Sequence, residues 1–302
     1  MSECPLVSVA VVTYNSSKFV LETLESIKNQ SYQNIELIVS DDCSTDSTVQ
    51  ICKEWIEKNK ERFVRSVIIE SPVNTGVSAN GNRAEDACEG KWVKSIAGDD
   101  ILVEDCIDSF IRYVSSHPNA KMVFGRVQAF GASEEKNSYF TDKIFKYDFF
   151  SLPIDEQLSV LTLQGNCLPA VAFFYNLVFA RENNIRNDEQ VPMLEDWPKW
   201  INILRKGITL DFLNKVVVRY RLHENALSTS GRSEKFRKSL ELMFVKYQYK
   251  SQYKHKPSNY LRRKYIYARH FSNEKDAFWS IVWGLGVLWD KIRGRQTINN
   301  FF

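Results

Sequence analysis

The sequence predicts an α/β fold with a mixed, mostly parallel sheet flanked by helices, and three observations lead to this prediction. Along roughly the first hundred residues, short apolar runs alternate with helical patterns, which is typical of βαβ units. Polar residues stand directly after the apolar runs, where open α/β sheets bind ligands. With 302 residues, 44% hydrophobic and 13% aromatic, the chain can bury a core as one large domain or as a domain with an appendage.

Predicted strands and helices alternate in the first part of the chain. The strands are "VSVAVVTYN", "IELIVSDD", "RSVIIES" and "KWVKSIAGDD". The segment "SSKFVLETLESIKNQ" has its apolar residues on one helical face. Ser47 and Gln50 have the spacing of a capping box that begins the second helix. The Gly- and Asn-rich segment "NTGVSANGNRAEDACEG" is predicted to be a turn that enters the third helix.

After Gly131 the pattern becomes less regular. The segment "MVFGRVQAF" before it predicts a strand, and "GASEEKNSYFTDKIFKYDFFSLP" is predicted to be mostly loop. Further on, "MLEDWPKWINILRKG" has helical spacing and "KVVVRYRLH" predicts another strand. From Ser233 onward the chain is predicted to be helical and basic, so we divide it into a domain over 1–230 and a basic helical region over 231–302.

The net charge of +3 hides an asymmetry between these two parts. From Gly231 to the end there are 16 Lys and Arg against 5 Asp and Glu, a difference of +11, which leaves −8 for the preceding residues. A basic tail suggests an anionic partner: a membrane surface, a phosphorylated acceptor or nucleic acid. Nucleic acid does not suit the acidic strand ends described below, so we expect no nucleic-acid partner.

The cysteines and the amino terminus both point to a cytosolic protein. No CxxC pair occurs, and the first apolar segment is short enough to be a buried strand and does not follow a basic stretch. We therefore expect reduced structural thiols rather than disulfides or a zinc site. The six cysteines are Cys4, Cys43, Cys52, Cys88, Cys106 and Cys167.

Polar clusters follow the four predicted strands, and in an open α/β sheet they converge on one crevice. Asp99 and Asp100 repel one another, and a divalent cation that bridges them to a diphosphate would make the pair tolerable; hard oxygen ligands suit Mg²⁺ or Mn²⁺. The alternative is a pair of solvated turn aspartates or a helix N-cap. The other strand ends favour the metal. The clusters are Thr13-Tyr14-Asn15, Asp41-Asp42, Asn74 to Gly76 and Asp99-Asp100.

Two nucleotide-binding classes lack their motifs. In "GVSANGNR" the residues Asn82 and Arg83 stand where a phosphate-binding P-loop requires Lys and then Ser or Thr. No GxGxxG follows the first strand, so the fingerprint of a dinucleotide-binding Rossmann domain is missing.

Four motifs in order resemble family 2 of the glycosyltransferases, over roughly residues 5–230. They are the run from "VSVAVVTYN" to "SDDCSTDST", then "NTGVSANGNRAEDACEGKWVKSIAGDD", "LEDWPKWINILRKG" and "YRLHENALS". The resemblance implies the GT-A fold of nucleotide-diphospho-sugar transferases. It also implies an inverting enzyme that transfers a sugar from a nucleotide-diphosphate donor with the help of Mn²⁺ or Mg²⁺.

The resemblance implies a set of donor-binding residues. Thr13, Tyr14 and Asn15 match the first-strand motif, and Asp42 matches the second-strand aspartate, at positions that hold the base and ribose. The family's common Ala-Arg-Asn turn reads Asn-Gly-Asn here, which leaves open whether Arg83 takes the role of the missing arginine.

The resemblance also implies metal ligands. Asp99 and Asp100 match the end of the metal motif, where one acidic residue contacts ribose or metal and another coordinates the metal. The family's usual Asp-x-Asp-Asp is "AGDD" here, so Ala97 replaces the first carboxylate and the main ligand stays open between Asp99 and Asp100. His223 could ligate the metal, donate to the diphosphate or be purely structural.

Asp196 matches the family's catalytic base. Inversion at the anomeric carbon is a direct displacement, for which one carboxylate that removes the acceptor proton is enough. The structural alternative for Asp196 is an N-cap. Glu195 beside it could hydrogen-bond the acceptor or tune Asp196 through like-charge repulsion.

The segment 277–289 is nearly all apolar, contains three tryptophans and is followed by basic residues. At ~1.5 Å per residue it is too short for a ~30 Å hydrocarbon core, and it suits a helix in the headgroup region. The alternative is a helix packed on the catalytic domain. We expect a cytoplasmic protein, peripheral at the cytoplasmic face of the inner membrane, acting on a lipid-diphosphate-linked glycan in bacterial O-antigen or capsule assembly.

Rival functions differ in what they leave unexplained. A non-catalytic nucleotide-sugar or glycan-binding module would account for Ala97 but not for the retained Asp99-Asp100 and Glu195-Asp196 pairs. A nucleotidyltransferase would need a Gly-rich loop with Lys or Arg directly after the first strand, which this chain lacks. The sugar, base and acceptor stay open, and UDP is the first donor nucleotide to test.

Overall fold

A computed structural model describes residues 4–163, 165–223 and 234–248. Its centre is one eight-stranded sheet in the order β3-β2-β1-β4-β7-β6-β8-β5. The strands are β1 (Val7–Thr13), β2 (Ile35–Asp41), β3 (Ser66–Glu70), β4 (Trp92–Ala97), β5 (Ile101–Leu102), β6 (Met122–Phe130), β7 (Phe173–Asn176) and β8 (Asp211–Arg221).

Helices cover both faces of the sheet. Shorter 3₁₀ or π turns occur at Lys60–Arg62, Phe140–Ile144, Tyr147–Ser151, Ala170–Ala172 and Phe244–Gln248. The α-helices of the described residues are α1 (Val20–Lys28), α2 (Thr48–Asn59), α3 (Val77–Asp86), α4 (Cys106–Ser116), α5 (Glu134–Tyr139), α6 (Ile154–Leu163), α7 (Leu177–Glu182), α8 (Asp196–Arg205) and α9 (Glu234–Met243).

The strands β1 to β4, whose carboxyl ends were predicted to line the crevice, run parallel. Val7 pairs with Ile35 on one side and Trp92 on the other, so β1, β2 and β4 start at the same level and their carboxyl ends align. Beyond β4 the sheet is mixed: β7 is antiparallel to β4 and β6, β6 and β8 are parallel, and β5 is antiparallel to β8. The predicted mixed, mostly parallel sheet is confirmed.

Two apolar layers, one on each face of the sheet, form the core. Successive residues of a strand point to opposite faces, and accordingly Val9 belongs to one layer and Ala10 to the other. The first layer contains side chains of α1, α2 and α4, and the second contains side chains of α3, α6, α8 and α9. Burial on both faces explains why the central strands read as continuous apolar runs.

The predicted capping box at the start of α2 is wrong. Ser47 occupies the N-cap position, but its side chain makes no capping hydrogen bond, and Gln50 donates to Glu54 instead. The cap comes from Asp46, whose Oδ1 accepts the Thr48 amide over 3.0 Å. Asp46 also accepts the amide of a residue after β1, so the carboxylate links two loops where a serine could cap only one.

The segment after β6, predicted to be mostly loop, is largely helical. It contains α5 and two short turns, Phe140–Ile144 and Tyr147–Ser151. Aromatic packing holds it against β8, since Phe150 stacks on Phe212 with ring centroids 4.8 Å apart. These contacts join distant parts of the chain and leave no periodic pattern in the local sequence.

Helix α9 lies on the same apolar layer as α8. Leu240 and Met243 are buried there, and Arg205 of α8 donates to the Tyr247 carbonyl over 2.7 Å. The division at residue 230 stays a prediction, and the apolar segment 277–289 lies outside the described residues. Within the described part of the chain, no helix combines the length and apolar character needed to cross a membrane.

All six cysteines are free thiols in the structure. Burial raises the pKa of four of them to about 12, which makes them unreactive packing residues. These four are Cys52, Cys88, Cys106 and Cys167.

Candidate active site

Side-chain hydrogen bonds tie the loops after β1 and β2 together. Thr13 Oγ1 donates to Asp41 Oδ2 over 2.8 Å, and the same oxygen accepts the Ser44 hydroxyl over 2.6 Å. The amide of Asn15, which has a left-handed φ of 50°, donates to Ser44 Oγ over 2.7 Å. Tyr14, which lies between Thr13 and Asn15 in the chain, is 51% exposed, so its ring can contact a ligand. The structure thus brings three predicted donor-binding residues to one edge of the sheet.

Asp42 organises the loop between β3 and α3. Its Oδ1 accepts the Thr75 amide over 3.0 Å and its Oδ2 accepts the Gly76 amide over 2.7 Å. Arg83 Nη2 lies 3.6 Å from Asp42 Oδ1, so this arginine belongs to the same corner. Gly76 has a φ of 98°, and a Cβ there would lie 2.8 Å from the Pro192 carbonyl oxygen. Asp42 is therefore used to shape the loop, and its contact with a donor base or ribose stays a prediction.

Asn80, which the sequence analysis missed, connects this corner to β1. Its Oδ1 accepts the Ser40 hydroxyl over 2.6 Å and Arg83 Nη1 over 3.0 Å, while its Nδ2 donates to the Thr13 carbonyl over 3.2 Å. The end of β4 packs closely on the same strand, because a Cβ at Gly98 would lie 2.8 Å from Thr13 Cγ2. Two signals could have revealed Asn80: the Asn-rich composition of the turn and its place in the Asn-Gly-Asn turn that departs from the family's Ala-Arg-Asn.

The Asp99-Asp100 pair lies at the carboxyl end of β4 and contacts the end of β8. Asp99 Oδ2 is 2.9 Å from His223 Nε2. Asp100 Oδ1 accepts a backbone amide at the end of β8 over 2.8 Å. Asp100 Oδ2 is buried and has no hydrogen-bond partner within the described part of the chain. Burial, to which the charge of Asp99 adds, raises the pKa of Asp100 well above its usual range.

These groups fit a divalent cation held jointly by protein and substrate. Among the described residues, no three His, Cys, Asp or Glu side chains converge into a complete metal site. Mg²⁺ sites commonly use one or two carboxylates and take their other ligands from substrate phosphates and water. The unpartnered Asp100 Oδ2 and the adjacent Asp99 match that composition. Ala97 has no carboxylate, so it provides no third ligand. His223 contacts Asp99, and its direct ligation of a metal stays a prediction.

Asp196 is the first residue of α8, and both of its carboxylate oxygens have partners. Oδ1 accepts the Trp197 amide over 2.7 Å, and Oδ2 accepts Asn166 Nδ2 over 2.5 Å. Glu195 occupies the N-cap position without a side-chain capping bond. Burial and the neighbouring Asp196 charge raise the pKa of Glu195 to about 8, and burial also raises the pKa of Asp196. A carboxylate with a raised pKa suits general-base chemistry near neutral pH.

A buried lysine lies one helical turn after this carboxylate pair. Lys199 Nζ is 3.9 Å from Glu85 Oε2, and the Tyr175 hydroxyl donates to the same oxygen over 2.6 Å. Burial lowers the pKa of Lys199, while Glu85, Glu195 and Asp196 act in the opposite direction. The lysine therefore provides positive charge near Glu195 and Asp196, whose ionised forms burial disfavours.

The chain before α8 is anchored on the first turn of α3. The Ser78 hydroxyl donates to the Val191 carbonyl over 2.7 Å, and the Ser78 amide donates to the Pro192 carbonyl over 3.2 Å. Since Pro192 also contacts Gly76, α8 begins only a few residues from the loop that Asp42 holds. The carboxylate pair is thereby connected to the loop between β3 and α3 that Asp42 organises.

A solved structure of similar fold shows the fold of this chain, and a family model shows its family. The crystal structure of S. aureus TarS 1-349 in complex with UDP-GlcNAc matches with a TM-score of 0.65 at 20% sequence identity, over 93% of this chain and 79% of that chain. The protein has the GT-A fold. A family model described as glycosyl transferase family 2 matches residues 8–167, more than half of the sequence. The chain belongs to glycosyltransferase family 2.

Two similar curated proteins are bacterial. The putative teichuronic acid biosynthesis glycosyltransferase TuaG of Bacillus subtilis is 28% identical over 75% of this chain and 82% of its own. The UDP-Glc:alpha-D-GlcNAc-diphosphoundecaprenol beta-1,3-glucosyltransferase WfaP of Escherichia coli is 27% identical over 78% of this chain and 84% of its own.

Proposed function

We propose that the protein is a metal-dependent inverting glycosyltransferase that moves a sugar from a nucleotide-diphosphate donor to a lipid-diphosphate-linked glycan in bacterial polysaccharide biosynthesis. The observation that carries the proposal is the hydrogen-bonded junction of the β1, β2, β3 and β4 ends, with an unpartnered Asp100 oxygen beside it. This edge is where open α/β sheets bind ligands. The family membership and the two relatives support the same reaction class.

The donor nucleoside would occupy the corner between the loops after β1 and β3. The exposed Tyr14 ring offers a stacking surface for a base, while Thr13 and Asn15 fix the loop that carries it. Arg83, 24% exposed at its side chain, provides a positive charge beside Asp42. UDP is our first donor nucleotide, since the names of both WfaP and the TarS complex contain it.

Asp100 and Asp99 would hold the metal next to the donor diphosphate. When bound there, Mg²⁺ or Mn²⁺ stabilises the negative charge of the departing diphosphate. His223 positions Asp99 through the 2.9 Å contact between Nε2 and Oδ2. The unpartnered oxygen makes Asp100 the main ligand in this proposal.

Asp196 would accept the proton of the attacking acceptor hydroxyl. Each carboxylate oxygen has a second lone pair beyond the one used by Asn166 or Trp197, so a proton can still be accepted. Burial and the charge of Asp196 raise the pKa of Glu195, which favours its protonated form, and in that form it can donate a hydrogen bond to the acceptor. In the proposed direct displacement the acceptor hydroxyl attacks the anomeric carbon opposite the departing diphosphate, which inverts that carbon and needs only one base.

We propose the acceptor and the cellular location from two further observations. WfaP is named for an acceptor that is a sugar on diphosphoundecaprenol. The residues from Gly231 onward carry a difference of +11 between basic and acidic side chains, which suits an anionic lipid acceptor at a membrane surface. We therefore propose peripheral contact with the cytoplasmic face of the inner membrane.

A donor panel tests the function directly. UDP-, GDP- and dTDP-sugars are incubated with the protein and MnCl₂ or EDTA, and released nucleotide is measured. We expect hydrolysis of one donor class with Mn²⁺ and none with EDTA. Donor binding without hydrolysis or transfer under any metal condition would favour the non-catalytic binding module. The replacement of the first metal-motif carboxylate by Ala97 is the observation that supports that alternative.

A further inference from the structure

Arg221, at the end of β8, joins the two aspartates of the β4 turn although the proposed reaction gives it no role. Its backbone amide donates to Asp100 Oδ1 over 2.8 Å, and its Nε donates to the Asp99 carbonyl over 2.7 Å. Its Nη2 donates to Glu22 Oε2 in α1 over 2.8 Å. The side chain is only 11% exposed. One residue thus connects β8, α1 and the Asp99-Asp100 turn.

Two aromatic rings fix the plane of this guanidinium. Its Cζ lies 4.5 Å from the Phe19 ring centroid and 4.5 Å from the Phe130 ring centroid. Phe130 is the strand neighbour of Arg221, and the Leu222 amide donates to the Phe130 carbonyl over 2.8 Å. A planar guanidinium can stack between rings and still direct its N–H groups, which an ammonium cannot do.

Besides Arg221, the turn is held by the contact of His223 with Asp99 and by hydrogen bonds to its backbone. It is followed by β5, which has two residues and pairs only with β8 within the described sheet. The Asp100 carbonyl accepts the Thr23 hydroxyl over 2.8 Å, and the Asp100 amide donates to the Ala97 carbonyl over 3.2 Å. Repulsion between the Asp99 and Asp100 carboxylates opposes the conformation of the turn. The Arg221 guanidinium is a cation in direct contact with the turn, at the Asp99 carbonyl.

We propose that Arg221 is a positioning residue whose side chain fixes the Asp99-Asp100 turn so that the unpartnered carboxylate oxygen of Asp100 is presented to a divalent cation. The inference rests on the proposed metal dependence and adds a residue that sets metal affinity without touching the metal. Residues that orient metal ligands typically change affinity by roughly 10- to 100-fold when replaced. The exposed pair with Glu22, 55% exposed at its side chain, contributes little by comparison.

Calorimetric titration of MnCl₂ into protein with bound UDP tests the proposal, with UDP binding in EDTA measured in parallel. We expect Arg221→Ala to weaken Mn²⁺ binding by roughly 10- to 100-fold and to leave metal-free UDP binding unchanged. Arg219→Ala is the matched control, because its guanidinium also lies 4.5 Å from the Phe130 ring but is exposed and two residues from Arg221. Glu22→Gln is expected to change Mn²⁺ affinity less than about twofold.

Folded Arg221→Ala with wild-type Mn²⁺ affinity would overturn the inference while leaving the proposed function intact. If Arg221→Ala does not fold, Arg221→Lys and Phe130→Leu replace it, since each disturbs the stacked guanidinium and keeps a large side chain. Wild-type Mn²⁺ affinity in both would equally overturn it. Wild-type protein that binds UDP but no Mn²⁺ would instead refute the metal dependence and this inference together.

Discussion

The Asp100 carboxylate combines full burial with an oxygen that has no partner in the described residues, which is a costly arrangement without a cation. Its other oxygen and its carbonyl are both hydrogen-bonded, so the strand ends hold this side chain in place. An energetically unfavourable group kept in a fixed position is the kind of feature expected at a functional site.

We expect Asp100→Asn to abolish Mn²⁺-dependent binding of the donor and donor hydrolysis while the thermal midpoint stays at or above the wild-type value. The amide has the shape of the carboxylate but lacks its charge, and removing a buried charge relieves the cost of its desolvation. Asp86→Asn, at an exposed aspartate, is the control. Donor hydrolysis at the wild-type rate in Asp100→Asn would show that the metal assignment is wrong.

Asp196→Asn is expected to bind donor and Mn²⁺ normally but to lose transfer by ~10²-fold or more, the loss typical of a missing general base. Transfer rates and donor affinity are measured separately on the same preparation. If transfer survives and only the thermal midpoint falls, the Trp197 amide contact is the main role of Asp196 and another carboxylate is the base.

Asn166→Ala addresses the same base through its partner. The hydrogen bond from Asn166 Nδ2 lowers the pKa of Asp196, against the larger opposing effect of burial. Its removal raises that pKa, so a higher pH is needed to deprotonate the base. The acid limb of the kcat/KM profile should therefore move to higher pH, and a limb at the wild-type position would contradict the contact.

Helix α8 carries the carboxylate pair and Lys199 on successive turns, so its stability and the chemistry of the site depend on the same charges. Glu195 and Asp196 stand at the helix start, where negative charge is favoured, yet burial raises the pKa of each. Lys199, which interacts with both, is itself held by Glu85 of α3. Packing of α8 on α3 and β7 therefore sets the electrostatics of the proposed base.

The pH dependence of unfolding tests this element. Because Glu195 has a pKa of about 8 in the folded state and an ordinary value of 4.5, the folded protein retains between those pH values a proton that the unfolded chain has lost. Stability contributed by this group therefore falls as pH rises, by at most about 1.4 kcal/mol per pH unit.

Glu195→Gln removes that dependence. Denaturant midpoints at pH 5, 7 and 9 should show the wild-type protein losing stability relative to Glu195→Gln as pH rises. Glu57→Gln, at a glutamate with a 74% exposed side chain, should follow the wild-type curve. Parallel curves for wild type and Glu195→Gln would mean that the carboxyl group titrates alike in both states.

The sequence predicted the elements whose residues lie close together in the chain and missed the contacts that join distant ones. The strand ends could be predicted because parallel strands align their carboxyl ends, which puts Thr13 and Asp99 at the same edge of the sheet. Asn166 and Lys199 gave no signal, since their partners Asp196 and Glu85 are supplied by the packing of α8. Short-range side-chain patterns do not encode such pairs, as the failed capping box at Ser47 illustrates.

The division of charge along the whole chain gives the last prediction. The residues before Gly231 carry −8 and those after it +11, and the apolar segment 277–289 with three tryptophans lies in the basic part, outside the described residues. Tryptophans favour headgroup depth, and each Lys or Arg near an anionic surface contributes about 1 kcal/mol, an attraction that weakens with ionic strength.

Removing residues 277–302 should therefore leave transfer to a short soluble acceptor within about twofold of wild type and reduce transfer to a lipid-linked acceptor in anionic vesicles, where each lost basic residue costs about 1 kcal/mol of binding. Sedimentation of both proteins with phosphatidylglycerol vesicles at low and high salt separates the two contributions, because charge attraction is screened and tryptophan insertion is not. A control with Lys291, Arg293 and Arg295 changed to Gln keeps the apolar run and should lose only the salt-sensitive part. Full-length protein that stays in the supernatant at low salt, or a truncated protein that is insoluble and inactive on every acceptor, would mean that the segment packs into the folded core.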